Sequence, residues 1–323
     1  MNANGRSILV VRLGAMGDII HALPAVASLR QSFPEHKIYW VLARKWVQLL
    51  EGNPQIDRIV PFERRGQGAI LESWRKLRVI QPEIAIDFQG LIQSALVGRA
   101  SRPKLLIGRH RSQARESPAA LFYSRQLRTK GPHCVEANLE LAAAAGATKL
   151  TDQAWIPAGR PEGDLPSGAF VLASPFAGWA SKQWPLENYA ALARELQKEG
   201  LPLAVNVPPG FREKFAEMPE LMIHESGLPG LIDGTRRATA IVGVDSGPMH
   251  LAAALGKPGV AIFGPTDPAR NGPFHSKLVT LRSAGAAISY KRDEEIAASM
   301  REISVEQVKE VLLNSIRSAR VSA

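Results

Sequence analysis

Apolar positions along the chain follow two alternating patterns. Short, β-branched runs at 7–13, 83–88 and 240–244 have the length of buried strands, and stretches such as 69–79 and 186–199 repeat apolar residues at helical spacing. This alternation of strand and helix predicts parallel sheets covered by helices on both faces. Within the first helical stretch, residues 18–33, Pro24 predicts a kink or a helix in two pieces.

A polar segment rich in proline and glycine, residues 156–168, separates two such alternating series. The pattern therefore predicts an α/β protein with two Rossmann-like domains, residues 1–157 and 158–323, that face each other across a cleft. A terminal amphipathic helix is expected over 305–318, where Val308, Leu312 and Ile316 share one stripe. This helix can pack back on the N-terminal domain.

Composition narrows the class of protein. The chain has 323 residues, 45% of them hydrophobic, which suffices for two cores. Its single cysteine, Cys134, allows no internal disulfide and fits a reducing compartment. Because the sequence has neither a secretory signal nor an uninterrupted apolar stretch of about 20 residues, we expect a soluble, cytoplasmic protein.

Positive charge is concentrated in the first half. Residues 1–150 contain 22 lysines and arginines against 11 carboxylates, whereas residues 151–323 contain 18 against 19. A domain with a strong net positive charge predicts an anionic partner. This partner can be nucleic acid, a membrane surface, or a phosphorylated or carboxylated substrate. A low aromatic content of 6% and no recognisable stacking or recognition-helix pattern argue against nucleic acid.

The first candidate site is the turn at residues 13–21, between the first predicted strand and helix. Gly14 and Gly17 allow a tight turn, and the N–H groups of a helix start favour an anion. Asp18 has two interpretations here, as a cap of the helix or as a general base. The turn lacks the G-x-G-x-x-G fingerprint, so no nicotinamide cofactor is expected.

The second candidate repeats the order of strand, polar turn and helix at residues 243–250. The N–H groups of Ser246 and Gly247 would point at a bound diphosphate. His250 could donate a hydrogen bond or proton to the leaving phosphate, or be an ordinary helix histidine. Asp245 would be repelled by a phosphate, so it is expected to hold a ligand hydroxyl or the turn itself.

Two further loops belong to the second half. The loop at 174–185 contains Lys182, which either neutralises a phosphate or is simply a surface lysine. The double-proline turn at 263–268 is expected to be a rigid loop of mainly structural role. No carboxylate pair has an obvious metal-ligand spacing, so we predict that Lys182, backbone N–H groups and His250 do the work of a metal ion.

Taken together, these segments resemble glycosyltransferase family 9, the heptosyltransferases of lipopolysaccharide core assembly. The resemblance covers nearly the whole chain and is carried by Met16-Gly17-Asp18 with His21 and Pro24, Asp87–Leu91 with Ser94-Ala95, Ala114–Glu116 with Leu121–Tyr123, Lys182–Pro185, Val244–Gly247 with His250-Leu251, and Phe263–Pro268. It implies the two-domain GT-B fold and inverting transfer of a heptose from ADP-heptose to the Kdo sugar of a lipid A precursor.

The resemblance also implies roles for single residues and partners. Asp18 would be the base in an N-terminal acceptor domain, and the C-terminal domain would bind the nucleotide-sugar. Donor contacts would come from Ser174, Lys182, Glu213, Asp245, Ser246, Gly247 and His250, and acceptor contacts from Gly17, Arg64, Arg65 and Arg115. No cofactor is expected, and the enzyme would be a monomer in peripheral contact with the inner membrane. Ser226 stands where the family pattern puts an apolar residue near the nucleotide base, so a different donor or acceptor remains an alternative.

Overall fold

The computed structural model describes residues 6–63 and 66–321 and divides the chain into two compact units. The division falls between Pro157 and Ala158, at the edge of the predicted proline- and glycine-rich segment. Residues 151–170 contain neither helix nor strand. Each unit has its own six-stranded sheet in which every pairing is parallel.

In the first unit, crossover helices connect strands in the order β3-β2-β1-β4-β5-β6. The strands are β1 (Ser7–Val11), β2 (Lys37–Ala43), β3 (Arg58–Phe62), β4 (Ile84–Asp87), β5 (Leu105–Arg109) and β6 (Arg125–Leu127). The α-helices are α1 (Met16–Ile20), α2 (Leu23–Ser32), α3 (Gln67–Arg78), α4 (Ile92–Ala100) and α5 (Cys134–Ala144), with 3-10 turns at Arg44–Leu49 and Ser117–Phe122. The predicted break at Pro24 is confirmed, since α1 and α2 are separate helices.

In the second unit the strand order is β9-β8-β7-β10-β11-β12. The strands are β7 (Val171–Ser174), β8 (Leu203–Val207), β9 (Met222–Glu225), β10 (Ala240–Val244), β11 (Gly259–Phe263) and β12 (Leu278–Arg282). The α-helices are α6 (Leu186–Lys198), α7 (Leu228–Arg237), α8 (Gly247–Ala254), α9 (Pro268–Asn271), α10 (Ala298–Arg301) and α11 (Val305–Val321), with 3-10 turns at Ala180–Lys182 and Arg212–Phe215.

The two sheets have the same topology. In each, the first strand lies between the second and the fourth, so β1 pairs with β4 and β7 pairs with β10. Ligands of open α/β sheets bind at this switch point, at the carboxyl ends of these neighbouring strands. The topological counterpart of the Asp18 turn is therefore the Lys182 loop after β7, and the counterpart of Asp245, after β10, is Asp87 at the end of β4.

The terminal helix α11 belongs to the core of its own unit. Its stripe of Val308, Leu312 and Ile316 is buried in one cluster with the inward side chains of β10 and β11. The apolar stripe of α11 therefore covers the second sheet, and packing of this helix on the N-terminal domain stays a prediction. The second sheet has an apolar face to cover, and the helix that follows it directly in sequence covers that face.

Three of the four edge strands are elements that the pattern did not predict. β6, β9 and β12 are all at sheet edges, and their sequences mix polar with apolar residues because β9 and β12 are buried only in part and β6 has no buried residue. Helix α4 begins only at Ile92, because the preceding residues form a turn held by the Asp87 side chain.

Candidate active site

Asp18 lies in the first turn of α1, directly after β1. The helix begins at Met16 with Ala15 as its N-cap, so Asp18 is the third helical residue and not the N-cap. Its Oδ2 accepts the backbone N–H of Ala15 at 3.1 Å and contacts the guanidinium Nη2 of Arg12 at 2.5 Å. The side chain nevertheless keeps 38% exposure. Asp18 therefore takes part in capping and still presents an accessible, fixed carboxylate.

Arg12 is the residue that holds this carboxylate, and sequence reasoning missed it. It follows β1, is 8% exposed, and donates through Nη1 to the carbonyl oxygen of Phe88 at 2.6 Å. Its own carbonyl accepts the indole N–H of Trp40 at 3.2 Å. The available signal was a lone charge at the end of a buried strand, where an ion is retained only with a partner.

The turn between β1 and α1 is shaped by close contacts. A Cβ at Gly14 would lie 2.9 Å from the indole Nε1 of Trp46, so the tight approach requires glycine. The amide oxygen of Gln89, from the loop after β4, accepts the N–H of Leu13 at 2.8 Å. Gly17 is buried within α1. The two loops at the switch point of the first sheet are thus joined beside Asp18.

Asp87 is fully buried beneath these loops. Its Oδ2 accepts the hydroxyls of Ser94 and Tyr123, each at 2.7 Å, and its Oδ1 accepts the N–H of Gln89 at 2.8 Å. Burial raises the pKa of this carboxyl above its usual range, and the donors around it offset only part of that effect. Asp87 therefore fixes the loop after β4 and is not presented to a ligand.

A histidine pair and the single cysteine meet at the same end of the sheet, although no pattern in the sequence predicts it. His21 Nδ1 lies 3.0 Å from the sulfur of Cys134, and one ligand atom from each of His21, His133 and Cys134 lies within 4.8 Å of the others. Burial, followed by the nearby Asp18 carboxylate, raises the pKa of the Cys134 thiol to about 12. His133 also caps α5 by accepting the N–H of Val135.

Of the four predicted acceptor residues, the structure describes Gly17 and Arg115. Arg115 is exposed, and its backbone nitrogen lies close to Gly90. A Cβ on Gly90 would be 3.2 Å from that nitrogen. Arg64 and Arg65 lie outside the described residues. Gly17 and Asp18 share α1, but their relation to Arg64 and Arg65 stays a prediction.

Asp245 is the centre of a buried polar network in the second unit. Its Oδ2 accepts Lys182 Nζ at 2.9 Å and the Thr266 hydroxyl at 2.7 Å, and its Oδ1 accepts the Asn271 amide at 3.2 Å. His250 Nε2 lies 3.7 Å from Oδ1. Burial alone would raise the pKa of Asp245, but His250 and the Lys182 ammonium outweigh it and hold the pKa well below the usual range. Asp245 thus secures the turn and its neighbours.

Lys182 is anchored rather than a loose surface lysine. Its side chain is 13% exposed, is paired with Asp245, and lies over the ring of Trp179 at 4.7 Å. An ammonium group has three donors, so it can still donate to a ligand. Arg292 stands over the same indole ring at 5.7 Å, and sequence reasoning missed it because it comes from a distant loop without motif.

The start of α8 presents unused hydrogen-bonding capacity. Ser246 is the N-cap, but its hydroxyl makes no cap bond and is a buried oxygen without a partner among the residues that the structure describes. Gly247 opens the helix, and Ser174 is buried at the end of β7. Glu213 instead is exposed on the 3-10 turn after β8 and takes no part in the hydrogen bonds of Asp245. Its contact with the donor remains a prediction.

Each unit has a parallel sheet with the same strand order. At the switch point, the first unit has a fixed carboxylate and the second a lysine and a helix N-terminus. This is the architecture of the GT-B type of α/β glycosyltransferase. The chain belongs to glycosyltransferase family 9 (heptosyltransferase), whose family model matches residues 70–299. It is therefore a transferase, as its sequence predicts. No helix among residues 6–63 and 66–321 has the length and apolar character needed to cross a membrane.

Individual relatives agree with this family. The chain is 28% identical to lipopolysaccharide heptosyltransferase 1 of Escherichia coli O18:K1:H7 over 87% of this chain and 93% of that protein. Identity to the heptosyltransferase 1 of Pseudomonas aeruginosa is also 28%, over 85% of this chain and 83% of that one. Among solved structures, E. coli heptosyltransferase WaaC with ADP matches with a TM-score of 0.77 and 25% identity, covering 96% of this chain and 99% of WaaC.

Proposed function

We propose that this glycosyltransferase moves a heptose from ADP-heptose to a Kdo sugar of the lipopolysaccharide inner core, with inversion at the anomeric carbon. Its relatives carry the name lipopolysaccharide heptosyltransferase 1. WaaC, which shares its fold, has been solved with ADP and with ADP-2-deoxy-2-fluoro heptose. The observation that carries the proposal is the accessible carboxylate of Asp18, fixed by Arg12 and the Ala15 N–H at the end of β1.

Asp18 acts as the general base in this mechanism. Its carboxylate takes the proton of the acceptor hydroxyl as that oxygen bonds to the anomeric carbon of the heptose. The bond from this carbon to the diphosphate oxygen breaks on the opposite face, and its electron pair leaves with ADP. Such base catalysis contributes typically about 10²–10⁴-fold to rate. Arg12 orients the carboxylate through the ion pair that its guanidinium makes with Asp18 Oδ2.

The second unit stabilises the departing diphosphate. Lys182 is held by Asp245 and keeps further donors for a phosphate oxygen. The unpartnered hydroxyl of Ser246 and the first N–H groups of α8 offer additional donors where negative charge develops. These groups supply the charge stabilisation that a metal ion provides in other transferases, so we expect transfer without added metal.

We further propose that the enzyme is a cytoplasmic monomer whose basic N-terminal unit binds the anionic acceptor at the inner membrane. Helix α3 ends in Arg75, Lys76 and Arg78, and Leu71 and Val79 beside them are 52% and 77% exposed. An anionic bilayer attracts such a surface. Vesicles of anionic phospholipid should co-sediment the protein in a salt-sensitive way, whereas equal pelleting with neutral vesicles would contradict this surface.

Product analysis tests the activity directly. The protein is incubated with ADP-heptose and a Kdo-bearing lipid A precursor in the presence of a chelator, and the product is examined by mass spectrometry and for its anomeric configuration. We expect one added heptose of inverted configuration, with ADP released in equal amount. Absence of transfer with an enzyme that still binds ADP would refute this choice of substrates.

A different donor or acceptor within the same family is the nearest alternative, because Ser226 departs from the family pattern near the nucleotide base. A panel of nucleotide-sugars offered with one acceptor separates the donors. The more distant alternative is a nucleic-acid-binding protein, which the basic first unit would also suit. Thermal stabilisation by ADP and not by oligonucleotides would decide for the transferase.

A further inference from the structure

The cluster of His21, His133 and Cys134 has the composition of a metal site. Two imidazoles and one thiol are ligands that suit Zn²⁺ and chemically similar divalent cations. Their ligand atoms lie within 4.8 Å of one another. In a tetrahedral zinc site the ligand atoms are roughly 3.3 to 3.8 Å apart, given metal–ligand distances of about 2.0 to 2.3 Å. Small side-chain rotations therefore suffice to close the cluster around an ion.

Local structure brings these three residues together. His133 and Cys134 are the N-cap and the first residue of α5, and His21 is the C-cap of α1. The amide of Asn138, one turn further along α5, donates to the carbonyl oxygen of His21 at 3.0 Å and fixes the two helix ends against each other. The ligands thus come from supported backbone rather than from loose loops.

We propose that His21, His133 and Cys134 form a binding site for a soft divalent cation such as Zn²⁺. On binding, the Cys134 thiol loses its proton to solvent and forms the metal–sulfur bond, and the two neutral imidazoles each donate one nitrogen lone pair. Either ring nitrogen of His133 can be the ligand, and in both cases the Nδ1 lone pair no longer accepts the Val135 N–H at 3.2 Å. The fourth position is left for water or an anionic ligand.

The charges around the cluster are compatible with a cation. Asp18, Arg109 and Arg12 are the charged groups that act on Cys134. Asp18 and Arg12 form an ion pair and largely offset each other. Arg109 is occupied by the amide oxygen of Asn138 at 3.1 Å, and the thiolate formed on binding compensates its charge.

A cation bound at this cluster would also affect Asp18, the proposed general base. Asp18 and His21 are three residues apart on α1, so they lie on the same side of the helix. A cation held by His21 therefore competes with Arg12 for the Asp18 carboxylate and disturbs the orientation that Arg12 gives the proposed base. This consequence, unlike the site itself, rests on the proposed transferase mechanism, and we expect Zn²⁺ to inhibit transfer.

Cobalt replaces zinc as a spectroscopic probe in the full-length protein. Titration with Co²⁺ alone should give one ion per chain and a thiolate-to-cobalt charge-transfer band, and Zn²⁺ should displace it. Cys134→Ser should abolish the band and weaken Zn²⁺ binding by more than about tenfold. His133→Asn should weaken binding similarly while keeping a good N-cap, and His110→Gln, elsewhere on the same unit, should change neither.

The results separate the two parts of the inference. No stoichiometric Co²⁺ binding, or a band that survives Cys134→Ser, would overturn the site whatever the enzyme transfers. If the site is occupied, Zn²⁺ should reduce the rate of transfer at least about tenfold in the wild type but not in Cys134→Ser, and a chelator should restore it. Equal inhibition of both proteins would overturn the link to Asp18.

Discussion

The two units place opposite charges at the same topological position. In the first unit the loop after the first strand carries the carboxylate of Asp18, whereas in the second unit the corresponding loop carries the ammonium of Lys182. Each is held by a residue of opposite charge, Arg12 in one unit and Asp245 in the other. One sheet topology therefore presents a carboxylate in one unit and an ammonium group in the other, which matches the proposed roles of base and anion site.

The loops after the fourth strands differ in a complementary way. Asp87 and Asp245 are both buried, but Asp87 is surrounded by neutral donors and Asp245 by Lys182 and His250. Accordingly the pKa of Asp87 is raised and that of Asp245 is lowered. A strand-end aspartate is thus an anchor in both units, and of these three aspartates Asp18 is the one with an accessible carboxylate.

Replacing the base should have the largest effect. Asp18→Asn keeps an oxygen for the Ala15 N–H, so the fold and ADP affinity should persist while turnover falls by at least about 10²-fold. Steady-state transfer rates, with thermal unfolding as the control for the fold, measure this change. Near-normal turnover would return Asp18 to a capping role and remove the contrast between the units.

Asp245→Asn should act through stability instead. It leaves the Lys182 ammonium without its buried partner, which should lower the free energy of unfolding by about 3 kcal/mol in urea titration at neutral pH. The lowered folded-state pKa means that the contribution of Asp245 is present above its unfolded value of 3.8 and is lost as pH falls below it. The difference between wild type and variant should therefore stay constant down to about pH 5 and shrink below pH 4.

Lys182→Ala should sharpen the assignment of the anion site. We expect ADP affinity to fall about tenfold, since one charged contact to phosphate is lost, while affinity for the acceptor is unchanged. Calorimetry of each ligand separates the two. Lys198→Ala, an exposed lysine of the same unit, serves as the control and should leave both affinities intact. Unaltered ADP binding in the Lys182 variant would exclude that residue from the donor site.

The smallest effect is expected from Thr266→Val, which removes one neutral donor from Asp245. The loss of this 2.7 Å bond should lower the free energy of unfolding by about 1 kcal/mol. Thr280→Val on the exposed edge strand β12 is the matched control, with a change within about 0.5 kcal/mol. Equal changes in both variants would mean that Thr266 contributes nothing specific to the network.

Sequence patterns predicted the central strands and long helices well, because their burial leaves uninterrupted or periodic apolar runs. The edge strands β9 and β12 escaped, since Met222 and Val279 are apolar yet exposed there. Composition also could not tell which sheet the stripe of α11 covers, because any apolar surface satisfies the same pattern. Topology was the missing information, and it reassigns the counterpart of Asp18 from Asp245 to Lys182.

The candidate sites were predicted where a turn follows a buried strand and missed where partners are distant in sequence. The turns with Asp18 and Asp245 are visible in the sequence as such. The contacts of Arg292 with Trp179 and of His21 with Cys134 each span 113 residues, and a single sequence gives no signal for them. Arg12 left the signal of a lone charge after a buried strand, but its contacts with Asp18 and Phe88 are known only from the structure.

The shared strand order and the separate cores also bear on how such enzymes diversify. Each half contains its own sheet, its own helices and its own switch point, and the segment that joins them has no regular structure. Mutations that retune sugar or nucleotide choice in one half need not perturb folding of the other. A chain built this way can inherit donor and acceptor preferences as separable traits, which makes exchange of whole halves between family members a practical route to new specificities.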